Sequence, residues 1–395
     1  MHILHLAGAY GGSEVYKSLY SAIDRLGIRQ TVFVPLNAAN HHHIGNNPVD
    51  FKTQGSKIIY STILSQHHRA LYGLKIKKIL SEVKKCVNLD EIDLIHCANL
   101  CADGGVAYEI KKQFNIPYIS AVRNTDLFAY YKYFFWRRKY FNRVLDDASR
   151  CIFLSPKHRE FMHTCYHKQD SGNSIVIPNG IDNYYFENSP ATQKSLTDKI
   201  RLIFAASYSK GKSLREIIEA IAIVRERTKL DLVLDAVGDG LPFRKTSPKY
   251  AKEIYELGKK YNWLTLSKYI PKIELAERYR NSDIFIMPSK PETFGLVYVE
   301  ALTQGLPIIY GKGQGFDGYF DEGVVGYHAE AFDISDIANA IESVIANYTK
   351  LTYNISQLNL QASFNWDKIA SEYLNIYNNT IRDKQSNENI TKTHL

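Results

Sequence analysis

Short apolar runs alternate with amphipathic stretches along almost the whole chain. Residues 3–6 read as a strand, and Ser13 is placed to cap a helix that runs to about Arg25, with Gly27 past its end. Further strands are expected at 31–35, 93–97, 117–122, 150–154 and 174–177. Helices are expected at 75–86, 105–114, 128–145 and from about 156. Residues 37–56, rich in Asn, His and Gly, read as a loop. The turn chemistry of Pro178, Asn179 and Gly180 opens a polar stretch that lasts to about Lys199, and then the alternation restarts. Strands are expected at 201–205, 231–237, 264–266, 283–287 and 307–310, with helices at 214–227, 251–261, 273–280, around Glu300 and at 334–347. The pattern predicts an α/β protein of two Rossmann-like, doubly wound domains facing across a cleft. The expected boundaries are an N-terminal domain at 1–177, an interdomain linker at 178–199 and a C-terminal domain at 200–365. A closing helix at 366–382 would pack back on the N-terminal domain, followed by a polar, disordered tail at 383–395.

Composition narrows the class. The 395 residues are 45% hydrophobic and 23% charged, ordinary globular values. No apolar run approaches the ~18–20 residues that span a bilayer, and the N-terminus reads as a first strand and not as a signal peptide. Five cysteines, an odd count without a CxxC pair, fit a reduced cytoplasm. The net charge of +8 is uneven: residues 1–177 hold 23 Lys and Arg against 14 Asp and Glu, and residues 178–395 hold 26 against 27. Two basic segments, 75–85 and 132–143, carry much of the excess. The second interleaves its cations with Phe134, Phe135, Trp136, Tyr140 and Phe141, a mixture that suits an anionic membrane surface. A packed helix with a solvated basic face is the competing reading. No RNP, zinc-finger or basic-zipper pattern accompanies the charge, so no nucleic-acid partner is expected. His41, His42 and His43 lie in the polar loop without converging Cys or acidic partners, so no metal is expected there. No motif sets an oligomeric state.

The densest chemistry lies in PSKPETFGLVYVEALTQGLP, residues 288–307. Glu292 precedes a helix that opens near Gly295, and Glu300 lies inside it. Eight helical residues advance about 12 Å and return to nearly the same face, so the two carboxylates could meet opposite ends of an extended polar ligand. Phe294, Gly295 and Leu296 would offer backbone N–H groups to phosphate oxygens at the helix start. An acidic first turn is also common on helices with no ligand.

This segment resembles the C-terminal signature of retaining glycosyltransferases of the GT-B fold, the family 4 type, in Pro288, Ser289, Glu292, Phe294, Gly295, Glu300, Ala301, Gly305 and Pro307. Gly11-Gly12-Ser13-Glu14, Pro178–Asp182, Val237–Gly240 and Phe364–Asp367 resemble other family segments in the same order, so the resemblance covers nearly the whole chain. It implies a metal-independent transferase acting on a nucleotide sugar, UDP- or GDP-linked, with no cofactor, in which the domain at 1–177 binds the acceptor and the domain at 200–365 binds the nucleotide sugar. Glu300 would bind the ribose hydroxyls, Glu292 would lie near the reacting carbon of the donor sugar, and Gly11 and Gly12 would let backbone approach the diphosphate. The base would sit near Gly238 and Ile270.

Two positions depart from the family pattern. An arginine and a lysine five places later usually grip phosphate; here Lys212 matches the lysine, Ser207 replaces the arginine, and Lys210 could restore the charge. After the strand at 117–122 the family commonly has a histidine, and here stands Arg123, suited to a phosphate or an acidic sugar or to a structural pair with Asp126. The resemblance implies transfer to a glycan or lipid-linked acceptor of a bacterial surface polysaccharide (capsule or O-antigen), by a cytoplasmic protein peripheral to the inner face of the plasma membrane. A GT-B epimerase or hydrolase, or a non-catalytic nucleotide-sugar-binding module, shares the fold. A dinucleotide oxidoreductase does not fit, because the first strand is not followed by GxGxxG and the second is not followed by an acidic residue.

Overall fold

The computed structural model describes residues 1–190, 193–239 and 248–393. The chain forms two compact units. One comprises residues 1–154, 159–180 and 366–395, and the other residues 155–158 and 181–365.

The first unit is built on a seven-stranded parallel sheet. Its strands are β1 (His2–Leu6), β2 (Arg29–Asn37), β3 (Lys57–Leu64), β4 (Leu94–Cys97), β5 (Tyr118–Val122), β6 (Arg150–Phe153) and β7 (Ser174–Val176), in the order β3-β2-β1-β4-β5-β6-β7. Parallel strands are covered on both faces, which is why β1 and β2 read as near-continuous apolar runs. Their alternate residues enter separate cores. Leu4, Leu6 and Phe33 pack with the helices Tyr72–Cys86, Gly105–Phe114 and Arg138–Asp147. Ile3, Val32 and Val34 pack with the helix Glu14–Arg25 and with Trp366, Tyr373 and Tyr377 of the last helix. Arg25 bridges Asp367 at 2.5 Å, and His96 Nδ1 lies 2.7 Å from the Tyr377 hydroxyl.

The second unit holds six parallel strands: β8 (Lys199–Ala205), β9 (Asp231–Asp239), β10 (Leu264–Lys268), β11 (Ile284–Met287), β12 (Ile308–Gly311) and β13 (Gly326–Ala329). Their order is β10-β9-β8-β11-β12-β13. Each sheet reverses its strand order at its first strand, β1 and β8, and ligands of doubly wound sheets bind beyond the carboxyl ends of strands at such points.

Several expectations need correction. Residues 178–199 are not a separate linker: Asn183–Glu187 is a helix, capped by Asp182, and from residue 181 the chain belongs to the second unit. The last helix does not stop near 382 but runs from Trp366 to Thr393, so 383–393 is no irregular tail. The strands β3 and β13 were not anticipated. The stretch 128–145 is not one helix. Phe134 leaves helical geometry (φ −106°, ψ 46°), and Arg138 Nε donates to the Tyr131 carbonyl oxygen at 2.8 Å, satisfying an acceptor that the break exposes. The break lets Tyr131 and Phe141 both enter the core while Phe135 and Trp136 stay exposed. Among the described residues no helix is long and apolar enough to cross a membrane.

Candidate active site

In the second unit, β8 and β11 are parallel neighbours, so the loops leaving their carboxyl ends emerge side by side. Lys212 comes from the first loop and Glu292 from the second. Lys212 Nζ donates to Glu292 Oε2 at 2.5 Å, with the side chains 12% and 14% exposed. Ser289 Oγ donates to the same oxygen at 3.3 Å, and the Thr293 N–H donates to Oε1 at 3.0 Å. The backbone beneath is fixed as tightly. Glu292 N–H donates to Gln314 Oε1 at 3.1 Å, Gly315 N–H donates to the Glu292 carbonyl at 3.0 Å, and Lys290 N–H ties the two loops through the Gly211 carbonyl at 2.8 Å. Gly315 is needed for this approach, since a Cβ there would lie 2.3 Å from the Thr293 carbonyl carbon. The buried imidazole of His158 faces Glu292; desolvation pushes its pKa down to about 4, against the pull of Glu292.

Glu300 lies in the helix Leu296–Thr303 in a different setting. It is partly buried and hydrogen-bonded by the Tyr185 hydroxyl. Desolvation pushes its pKa up to about 7, and the Tyr185 bond and the nearby charge of Lys272 only partly offset this. Lys272 is itself paired with Asp182. Glu292 precedes the helix and Glu300 lies inside it as expected, but the helical spacing anticipated over all eight residues does not hold. Gly295 turns the chain through left-handed backbone (φ +81°), and Glu292 lies in the loop before it.

Other predicted residues surround this site unevenly. Ser207 is buried, and its hydroxyl lies 3.4 Å from that of Ser209. Lys210 is exposed in the tight turn Lys210–Lys212. Gly238, one residue before the end of β9, has φ +127°, and any Cβ would sit 2.3 Å from the Ala206 carbonyl oxygen. Ile270 follows β10, where the Tyr269 N–H donates to the Asp239 carbonyl at 2.7 Å. Gly240 lies outside the described residues. The Phe294 side chain packs in the core against Phe316, Tyr319 and Phe364, so only its backbone is left for a ligand. Leu296 opens its helix, where the first N–H groups lack intrahelical acceptors.

Gly11, Gly12 and Arg123 belong to the first unit. The bare Cα of Gly11 accommodates His43, since a Cβ would meet the His43 Cβ at 2.6 Å and His43 Nδ1 lies 3.1 Å from the Gly11 carbonyl. Gly12 has nothing within 4 Å of its Cβ position. Arg123 does not pair with Asp126 through its guanidinium. Its backbone N–H donates to Asp126 Oδ2 at 2.8 Å, its Nε donates to the Ala98 carbonyl at 3.2 Å, and its guanidinium lies 5.8 Å from the Tyr16 ring centre. Tyr185, Gln314, Gly315 and His158 were not found from sequence. Among the described residues no group of three or more His, Cys, Asp or Glu is arranged to hold a metal ion.

Two parallel-sheet units with a Lys–Glu pair at the switch point of the second define a protein of the GT-B class. Comparison with known proteins agrees. Residues 10–183 match the Glycosyltransferase Family 4 description and residues 186–358 match Glycosyl transferases group 1. The chain belongs to this glycosyltransferase family. An uncharacterized glycosyltransferase of Methanocaldococcus jannaschii is 20% identical over 80% of this chain and 82% of its own length. A putative teichuronic acid biosynthesis glycosyltransferase of Bacillus subtilis, TuaC, is 25% identical over 69% and 66%. The aligned part is about half of a D-inositol 3-phosphate glycosyltransferase of Geodermatophilus obscurus, 48% of its length, at 26% identity over 53% of this chain. Among solved structures, sucrose-phosphate synthase of Thermosynechococcus elongatus superposes with a TM-score of 0.73 at 20% identity, covering 96% of this chain and 98% of that one. HepE of Anabaena, in complex with UDP, superposes at 0.69 with 19% identity over 95% and 99%.

Proposed function

We propose that this glycosyltransferase takes a sugar from a UDP- or GDP-linked donor with retention of configuration and without a metal ion. The acceptor is a glycan or lipid-linked glycan of a bacterial surface polysaccharide, met by a cytoplasmic protein at the inner face of the plasma membrane. The observation that carries the reading is the Lys212–Glu292 pair, set on the loops of the two strands at the switch point. As the sugar leaves, negative charge grows on the diphosphate, and a fixed ammonium with a helix N-terminus beside it lowers that barrier. Lys212 supplies the ammonium, with Lys210 on the same turn, and Gly295 and Leu296 the helix start. Glu292, its carboxylate held by Lys212, Ser289 and the Thr293 N–H, faces the sugar near the reacting carbon. Glu300 accepts from the ribose hydroxyls, while Gly238 and Ile270 border the base. The acceptor hydroxyl attacks from the face the diphosphate leaves: its oxygen bonds to the anomeric carbon as the bond from that carbon to the phosphate oxygen breaks, and its proton passes to the departing diphosphate. A relative named as a teichuronic acid biosynthesis glycosyltransferase and one named as an alpha-monoglucosyldiacylglycerol synthase support a surface-glycan or lipid acceptor.

Thermal unfolding with UDP, GDP and their sugar conjugates, with and without EDTA, tests the donor. A ligand at 100 times its Kd stabilises by about 2.7 kcal/mol. A selective rise that survives EDTA is expected, and no rise with any nucleotide overturns the reading. The anomeric configuration of the product, read by NMR, then checks retention.

A further inference from the structure

Residues 51–81 contain six Lys and Arg and no Asp or Glu; residues 127–145 contain five and none. The fold of the first unit joins these two acid-free stretches. Tyr72, at the start of the helix Tyr72–Cys86, packs edge-on against Tyr130 at 6.0 Å and Phe141 at 5.4 Å between ring centres. The Arg137 guanidinium lies 5.1 Å over the Tyr72 ring, and Lys75 Nζ donates to the Tyr130 hydroxyl at 3.0 Å. Five large apolar side chains stand out to solvent on the segments around this joint: Leu71 and Leu74 at 48% and 53% exposure, Tyr133 at 62%, Phe135 and Trp136 at 63% each. Phe135 and Trp136 meet edge to face at 5.1 Å, and Phe134 beneath them stacks on Tyr130 at 5.7 Å. They form a buttressed wedge, with Lys132 and Lys139 exposed on the same segment.

We propose that this surface docks the protein on an anionic lipid bilayer, with Phe135 and Trp136 inserted at headgroup level and the surrounding cations facing acidic lipids. An apolar wedge alone would suit many partners. Lys77, Lys78, Lys132 and Lys139 are exposed on the two helical segments at this joint, and neither stretch holds a carboxylate, which selects an anionic surface. Trp and Tyr, with an apolar body and one polar group, select the boundary between headgroup and acyl chain. Phe141, placed in the lipid-facing segment on sequence grounds, is instead buried and belongs to the core under the wedge. The docking surface deepens the membrane part of the proposed function and rests on that reading for its purpose, while its test needs no turnover.

The test is co-sedimentation of the full chain with phosphatidylcholine vesicles and with phosphatidylcholine–phosphatidylglycerol vesicles. Sedimentation is expected with the second only, weakening as salt rises. Phe135→Ser with Trp136→Ser should cut binding at least tenfold, and Lys132→Ala or Lys139→Ala about fivefold each, the effect of one cation at an anionic surface. Trp136→Phe should keep binding but lose the blue shift of tryptophan emission, because Trp366 is buried and Trp263 lies in the other unit. No sedimentation with anionic vesicles at low salt overturns the proposal. So does equal binding to neutral vesicles, undiminished binding of the double serine variant, or pelleting without vesicles that the serines abolish, which would mark self-association. The nucleotide-induced thermal shift is read on the same preparations. A shift without vesicle binding rejects the docking surface alone, and vesicle binding without a shift rejects the donor reading alone.

Discussion

Glu292 and Glu300 stand eight positions apart in one motif, and the protein holds them in opposite electrostatic states. Glu292 is clamped. An ammonium, a hydroxyl and a backbone N–H converge on its oxygens, so it is a fixed negative charge already neutralised by Lys212. Glu300 has one hydroxyl partner and a pKa near 7, so its charge is loosely held and titrates close to neutrality. A fixed pair suits a position where charge develops during reaction, since it needs little reorganisation. A titrating carboxylate suits ground-state binding, where partners from the ligand complete its hydrogen bonds. The difference arises from where each stands: Glu292 on a loop touched by the loops of Lys212 and Gln314, Glu300 on a short helix facing Tyr185.

The largest effect is expected at the fixed pair. Lys212→Ala and Glu292→Ala should each lower transfer by about 100-fold to 1,000-fold, the usual loss on removing one transition-state contact. Each leaves its partner's charge unpaired in a largely enclosed site. Thermal stability should therefore fall as well, though by less than the ~3–5 kcal/mol of a fully buried pair, since both side chains keep some solvent contact. The double variant should be little slower than either single one if the two act as a unit. Multiplying losses would show two independent roles and break the comparison.

Glu300→Gln should act in the opposite sense on stability. Because the folded pKa is raised from 4.5 to about 7, folding takes up a proton between these values, and stability falls as pH rises through that window and is level above it. The substitution removes the slope: unliganded protein should gain about 1–3 kcal/mol at pH 8 and nothing at pH 4, read from denaturant unfolding. The donor-induced thermal shift should shrink at the same time. A variant less stable at pH 8 would show that the carboxylate is well satisfied and not desolvated.

What could be read in the sequence follows the same division. Glu292, Gly295 and Glu300 stand out as candidates because fixed offsets around a helix start encode them locally, and Lys212 because it keeps its spacing to the next helix. Tyr185 was not, because it lies in a polar stretch read as linker and reaches Glu300 only through the tertiary fold. Gln314 and Gly315 act through an amide and a missing Cβ, and neither carries a charge that would single it out. Most strands were legible from continuous apolar runs buried on both faces. The edge strand β3 was hidden because its KIIYSTIL pattern is only partly buried and follows a polar loop. The break at Phe134 was invisible because a run of aromatics and cations satisfies helix periodicity whether or not the helix continues.

The smallest change is the one that separates the two glutamates most cleanly. Tyr185→Phe keeps the buried ring, which packs 6.5 Å from Tyr279, and removes only the hydroxyl that donates to Glu300. The carboxylate then loses a bond that favours its charged form, so its pKa should rise further above the ordinary carboxylate range. Donor binding at pH 7 should weaken a few-fold to about tenfold, the scale of one hydrogen bond to a charged group. Much of that loss should return at pH 9, where Glu300 ionises without help. The rate of transfer at saturating donor should stay within about twofold, because the Glu292 carboxylate is held by Lys212, Ser289 and Thr293. A purely structural role for Tyr185 would weaken binding equally at every pH. A pH-dependent weakening confined to binding would establish that one glutamate holds the donor while the other serves the reaction.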